Sequence, residues 1–279
     1  MKKLAALATI LLLVAACSTT RLLYSFADDF IESEAEFYLK LDEEGESFVE
    51  TKVDDFIGWH RTAMLPRYAG YLGAQADLIE RGGLNRAGVD AAVDKFRELM
   101  EGTVRGFTPH AAMVLARHTG TAKIAHFSER LAERAEEHRE NLDQPAAERA
   151  EERAERTQDN FERFIGDLTD GQLTIIRRHV AATMNDTARR LRRRQRNSKR
   201  LVAFLAKQPD ERQIRIFLDA MFLDPDAGAP QTERQFREAR FRRFRIFMAD
   251  MLTSLTAEQR ETLVRNLRDY AEDFNAIAS

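Results

Sequence analysis

Leu168-Thr169-Asp170-Gly171-Gln172-Leu173-Thr174-Ile175-Ile176-Arg177-Arg178-His179-Val180 decides the fold class of this chain. A threonine and a glutamine three residues apart form a capping box: the hydroxyl accepts from an early helix amide, and the glutamine reaches back to the cap amide. Behind it, Leu173, Ile176, Val180, Met184, Ala188 and Leu191 fall on one face of a 3.6-residue period. With Leu201, Val202 and Leu205 resuming that face, the pattern predicts one long helix after Thr169, ended by Pro209. Leu255-Thr256-Ala257-Glu258-Gln259 repeats the device ahead of Leu263, Leu267, Tyr270, Phe274 and Ile277. Leu41-Asp42 and Phe107-Thr108 read as weaker versions of the same start, with Pro109 in the favoured first turn.

Helical spacing continues in both directions from this segment. Leu22, Phe26 and Phe30 repeat every four residues, and Val49, Val53, Phe56, Ile57, His60 and Met64 form a second stripe. Pro66 should kink or restart that helix, and Gly82-Gly83 should stop it. Asn85 should cap the next, with Gly106 as its end; Gly120 and Pro145 mark further breaks. Ala146–Arg156 contains only alanine, glutamate and arginine, and reads as a solvent-exposed helix with no ligand site. Most of the 18 Phe stand at helical spacing and are expected in the core. No strand pattern is present. The expected fold is all-α, a multi-helix bundle or elongated array of about nine to eleven helices, with a sub-boundary near 143–147.

At the other end stands Met1-Lys2-Lys3, then an apolar run from Leu4 to Ala16 broken only by Thr9. The run is shorter than the ~20 residues that span a bilayer as a helix, and fits the apolar region of a signal peptide. It closes on Val14-Ala15-Ala16-Cys17, and Cys17 is the one cysteine of the chain, so no internal disulfide is available. Small residues ahead of a cysteine resemble the lipobox of bacterial lipoproteins. That resemblance implies cleavage before Cys17 and fatty acyl chains such as palmitate on its thiol and freed amine. Residues 1–16 are then the leader, 17–20 the lipidated cysteine and tether, and 21–279 an all-helical periplasmic domain. Ser18, by resemblance to lipoprotein sorting signals, implies the periplasmic face of the outer membrane.

Charge is segregated along the chain. Asp28–Asp55 holds twelve acidic residues against Lys40 and Lys52. Asp186–Arg200 holds Arg189, Arg190, Arg192, Arg193, Arg194, Arg196, Lys199 and Arg200 against Asp186, and Arg234–Arg245 adds a second basic stretch. These stretches form a solvated face, pair internally with the acidic segment, or meet an anionic envelope partner such as phospholipid heads or lipopolysaccharide phosphates; arginine forks suit phosphate. A net charge of −3 gives no pull toward nucleic acid.

Nothing in the sequence carries a catalytic signature. No H-E-x-x-H, G-x-S-x-G or phosphate-loop motif occurs, and no cofactor is expected beyond the lipid on Cys17. His110, His118 and His126 are eight apart, but Gly120 should separate them. Trp59-His60-Arg61 is the one local cluster with binding potential, against a structural alternative in which Trp59 packs, His60 lies on the apolar stripe and Arg61 is exposed.

Two further resemblances bear on function. The L-T-x-x-Q segments resemble the motif of small periplasmic helical chaperones of the Spy and CpxP type. Cys17-Ser18-Thr19-Thr20-Arg21-Leu22-Leu23-Tyr24, Ala27-Asp28, Trp59-His60-Arg61 and Leu65-Pro66-Arg67-Tyr68 resemble a family of Gram-negative lipoproteins known only as a domain of unknown function. The chain departs from that family at Leu41–Gly45, where an L-T-x-x-Q start is more usual. The resemblance implies location and a helical fold and supplies no activity. The expectation is a non-catalytic envelope lipoprotein that binds or supports an envelope component, with chaperone-like client binding as the alternative.

Overall fold

The computed structural model of the chain describes residues 20–22 and 24–279. Val14, Ala15, Ala16 and Cys17, the leader end and lipidation site expected from sequence, lie outside them. From Ala27 onward the elements are α1 (Ala27–Tyr38), α2 (Glu43–Trp59), a π-helical turn (His60–Met64), α3 (Leu65–Glu80), α4 (Arg86–Ala116), α5 (Thr121–Asp143), α6 (Ala146–Ile165), α7 (Asp170–Thr183), α8 (Asp186–Leu205), α9 (Glu211–Leu223), α10 (Gln231–Thr253) and α11 (Ala257–Ala278). The run from α2 through the π turn to α3 is continuous. From Ala27 onward the described residues therefore form ten separate rods and no strand, as the periodicity predicts. No described helix is long and apolar enough to cross a membrane.

Helix ends follow the capping chemistry of the sequence. Asp42 accepts from the Gly45 amide and Asn85 from the Gly88 amide, at 3.0 Å each. Gly82, at φ +73°, closes α3, a conformation that a Cβ would strain. A third capping box, Asp210 with Gln213, opens α9.

The boxes at Thr169 and Thr256 are built face to face. Each glutamine returns to its own cap amide, Gln172 to Thr169 and Gln259 to Thr256, both at 3.0 Å. Each carboxamide also donates to the other: Gln172 Nε2 to Gln259 Oε1 at 2.8 Å, and Gln259 Nε2 to Gln172 Oε1 at 2.9 Å. The remaining hydrogens go to Ser254 O and Asp167 O, two residues before the opposite threonine in each case. The starts of α7 and α11 are thus locked by a locally two-fold polar knot whose glutamines are buried. Every polar atom in it has a partner, which is the condition for burying carboxamides without penalty.

Two expected boundaries are corrected. α4 does not end at Gly106 and restart at Thr108-Pro109; it runs unbroken for 31 residues, roughly 46 Å at 1.5 Å per residue. Gly106 is there because the Trp59 ring lies where its Cβ would be. Thr108 is fully buried and donates its hydroxyl to Asp219 Oδ1 on α9 at 2.6 Å, so its hydroxyl does not cap a helix. Pro109 removes one helix bond, and the carbonyl it frees belongs to Arg105, an exposed residue that water can reach. The second correction is that the helix after Thr169 is two helices. It breaks at Met184-Asn185, where Thr183 bonds back to the His179 carbonyl and its own carbonyl accepts from Arg153.

Packing is distributed over five small apolar clusters along the array. Leu39, Ala112, Phe127, Leu205, Ile214 and Leu218 join α4, α5, α8 and α9 beside the end of α1. Val49, Val53, Phe56 and Ile57 seat α2 on α1 and α4. Met64, Leu65, Tyr68 and Leu99 bind the π turn and α3 to α4 and α11. Ile79, Ile165, Leu255 and Leu263 tie α3, α6 and α11, and Ile176, Val180, Phe247 and Met251 tie α7 to α10. The expectation that nearly all phenylalanines are core is corrected. Phe26, Phe30, Phe96, Phe164, Phe222 and Phe244 are exposed, and with Leu22 the first two form a bare apolar stripe leading into α1.

Candidate functional site

Helical periodicity sorts the arginine run of α8 into three directions. Arg189 and Arg196, seven apart, turn toward the start of α10. Arg189 donates to Thr232 O and stacks on Phe236, and both approach Glu233. Arg192 points to water. Arg190 and Arg194, four apart, face the opposite way, into a cleft of about 550 Å³ walled by α5, α6 and α8. Arg194 donates to His138 Nε2 at 2.8 Å, which fixes that ring nitrogen as an acceptor. Arg193 lies toward Arg237 and Arg240 of α10.

The far wall of the cleft is α6, with Arg149, Arg153 and Arg156. This corrects the expectation that Ala146–Arg156 is only a solvated helix. Its alanines Ala150 and Ala154 pack on the α7–α10 cluster, and that seating aims its arginines inward. Uniform Ala/Glu/Arg composition hid the asymmetry, because alanine signals burial weakly in a sequence.

Deeper in, the guanidinium groups crowd each other. Burial pushes Arg153 below its ordinary range, and neighbouring Arg190 pushes it further. Arg240 is lowered the same way, by burial and then by Arg190 and Arg193. The one carboxylate felt by both is Asp186, itself buried and held by Arg243 at 2.7 Å. Glu152, across the cleft, is engaged by Arg156. Arg153, Arg240 and Arg243 therefore share a single anion, with Arg190 as a further like charge beside Arg153 and Arg240. Desolvated like charges cost free energy unless a counter-charge joins them.

The acidic segment does not supply that counter-charge. Glu34 pairs with Arg134, Glu44 with Arg117 and Asp55 with Lys52; among the described residues none reaches α8. On α1, Glu32 is raised above the ordinary carboxylate range by burial and then by Glu50, Asp28, Asp54 and Asp29. The acidic segment thus remains apart from the arginines of α8.

Trp59-His60-Arg61 sits elsewhere, at the junction of α2 and the π turn. Trp59 stacks on Phe56 and covers Gly106; Arg61 is exposed. His60 is packed among Tyr24, Phe56 and Tyr68, with its Nδ1 3.0 Å from the Tyr24 hydroxyl. Burial lowers its pKa, as it does for His110, His118 and His179. In the window just below the ordinary histidine value of about 6.5, the folded chain then binds fewer protons than the unfolded one. Stability is complete above that value and declines as pH falls through the window. The urea midpoint should drop between pH 7.5 and pH 5.5, and His60→Phe should flatten the slope; an unchanged slope would remove His60 from this role.

His110, His118 and His126 do not converge. The first is on α4, the second bonds the Val114 carbonyl in the turn that ends it, and the third is on α5. Among the described residues no group of His, Cys, Asp and Glu could hold a metal.

These features define an all-α protein whose most distinctive polar site is a cleft of partly desolvated arginines. The chain belongs to the family of unknown function DUF6279, whose model matches residues 37–227. That span takes in the arginine run of α8 and the α5–α6 walls, and leaves α11 and the segment before residue 37 outside. Searches of curated proteins and of solved structures found no match.

Proposed function

We propose that this chain is a lipid-anchored envelope lipoprotein that binds anionic headgroups, of phospholipid or lipopolysaccharide, through the cleft between α5, α6 and α8. The observation that carries it is a cleft lined by Arg149, Arg153, Arg190 and Arg194, in which half-buried Arg153 shares one carboxylate, Asp186, with Arg240 behind it. Arginine forks match phosphate oxygens, and a partly dry cleft strengthens the attraction. The anchor rests on Val14-Ala15-Ala16-Cys17 and its likeness to a lipobox, and the outer-membrane address on Ser18. The role is binding or support without catalysis.

Two measurements test this. Mass spectrometry of the native amino terminus should find acylated Cys17; an unacylated start would end the anchor proposal. The chain from residue 17 onward carrying Cys17→Ser should cosediment with phosphatidylglycerol vesicles and much less with phosphatidylcholine vesicles. Each arginine near an anionic surface contributes about 1 kcal/mol, so Arg149→Gln/Arg190→Gln/Arg194→Gln, which changes three arginines lining the cleft, should lose roughly 100-fold in affinity. Equal binding to both vesicles, or an unaffected triple variant, would end the headgroup proposal. Crosslinking in cells that recovers one envelope protein at these arginines would replace the lipid by that protein.

Client binding in the manner of periplasmic chaperones is the second reading, favoured by the bare stripe of Leu22, Phe26 and Phe30. Its test is suppression of aggregation of an unfolded protein at near-stoichiometric ratio.

A further inference from the structure

An apolar cavity of about 470 Å³ lies between α1, α2, α4, α5, α8 and α9. Its inner walls are Leu39, Val53, Val114, Phe127, Leu218 and Met221, and its volume falls within the ~300–1,000 Å³ usual for small-molecule sites. Charged side chains on its wall are few. Glu34 is taken by Arg134 and Lys52 by Asp55, whereas Arg194 leads out of it.

Arg194 also lines the arginine cleft, and a third hollow joins the two. That hollow places Arg190, Arg193 and Arg194 with Asn197 and Ser198 at one end, and Leu201, Met221 and Phe222 at the other. Leu201, Met221 and Phe222 belong to the apolar cavity as well. The three hollows therefore adjoin one another through shared side chains, with guanidinium groups at one end and hydrocarbon walls at the other. At the mouth, Phe30 and Phe222 stand 65% and 48% exposed, and the bare Leu22–Phe26–Phe30 stripe approaches it from the amino-terminal side. Exposed rings at a cavity rim are unfavourable in water unless an apolar surface meets them.

We infer that the site binds a single-chain anionic amphiphile, with a phosphate or carboxylate head on Arg190, Arg193 and Arg194 and one acyl chain in the cavity. This deepens the headgroup reading and rests on it: the arginines alone would take any anion, and the cavity alone any oil. Only their adjacency through Arg194 selects a molecule carrying both.

The test uses the chain from residue 17 onward with Cys17→Ser, which retains every described residue. Binding is measured by calorimetry with alkyl phosphates of eight to sixteen carbons below their micellar concentrations, with inorganic phosphate and with dodecanol. Affinity should rise about fourfold per added methylene, the factor that transfer of one CH₂ from water implies, until the cavity is filled. Arg190→Gln/Arg193→Gln, neither of which lines the apolar cavity, should lower alkyl phosphate affinity at least tenfold and leave dodecanol binding unchanged. Ala111→Phe, which narrows the cavity, should abolish the chain-length dependence. Because that variant alters the interior, the surface change Phe222→Ser and a photoreactive group at the chain end, expected to crosslink beside Phe127 or Leu218, report independently. Phosphate binding with no dependence on chain length would overturn the amphiphile inference and leave the headgroup reading standing. Absence of binding by every phosphate probe would overturn both.

Discussion

Gln172→Leu should lower the unfolding free energy by roughly 3 kcal/mol, because it strips partners from four groups at once. Gln172 is fully buried and connects the Thr169 amide, the Ser254 carbonyl and both ends of the Gln259 carboxamide. Leucine matches its size but leaves the Thr169 amide and the Ser254 carbonyl without this partner and each end of the Gln259 carboxamide one bond short, and a buried unmet donor or acceptor costs about 1–3 kcal/mol. The loss of the cap at α7 adds to this, while leucine's own burial offsets part. At about 2–4 °C per kcal/mol for a domain of this size, the melting temperature should fall by roughly 6–12 °C.

Coupling distinguishes this account from ordinary loss of packing. Once Gln172 is gone, Gln259 has already lost its best partner, so Gln172→Leu/Gln259→Leu should cost about 1–2 kcal/mol less than the sum of the single changes. Gln172→Glu is a second check. A carboxylate can accept from the Thr169 amide but cannot donate to Ser254 O or Gln259 Oε1. Its folded pKa must then rise above the unfolded value near 4.3, so its deficit should be full at pH 7 and shrink as pH falls through the raised value. Additive single-site losses, with a pH-independent Gln172→Glu deficit, would sink the knot as a unit.

This knot also shows how far the sequence could be read. Thr169-x-x-Gln172 and Thr256-x-x-Gln259 are visible as helix starts, because a capping box is local: two residues three apart, with their own two amides, make it. That the two boxes meet is not local. Their residues are 87 apart, and no periodicity encodes which helix start faces which. In the two L-T-x-x-Q segments, which resemble a chaperone motif, the glutamines bond each other.

The same division of local from non-local explains the site. Runs such as Arg189–Arg196 announce a basic helix, and 3.6-residue spacing even foretells that Arg190 and Arg194 share a face. Which of those faces would find carboxylates depended on tertiary docking. Glu233 of α10 took Arg189 and Arg196, and the arginines of α6 came to stand opposite Arg190. The acidic stretch looked like a natural partner by composition, yet α1 and α2 carry it to another face. Apolar stripes misled in the opposite direction. Leu22, Phe26 and Phe30 have core spacing but are left exposed, because no described helix packs over them.

Gly106→Ala is the clearest case of a local rule reversed by packing, and it should destabilise by about 2 kcal/mol. Inside a helix, glycine to alanine ordinarily gains about 1 kcal/mol, since alanine loses less backbone entropy. At Gly106 an added Cβ would lie 2.0 Å from Cη2 and 2.1 Å from Cζ3 of Trp59. That ring is a rigid plate wedged between Phe56 and α4, and it cannot yield as the tip of a lysine would. Either the indole swings out or α2 moves off α4, and overpacking of this kind costs about 1–3 kcal/mol beyond the forfeited gain. Gly70→Ala and Gly73→Ala in α3 serve as controls, with nothing within 4 Å of the new carbon, and each should stabilise. In a Trp59→Leu background the obstruction is gone, so Gly106→Ala should turn from destabilising to stabilising. Chemical denaturation of the four chains of that cycle reads the sign directly. If Gly106→Ala stabilises with Trp59 in place, then the Trp59 ring is not fixed against Gly106, and the close approach of α2 to α4 is not what holds the π turn beside Tyr68 and Leu99.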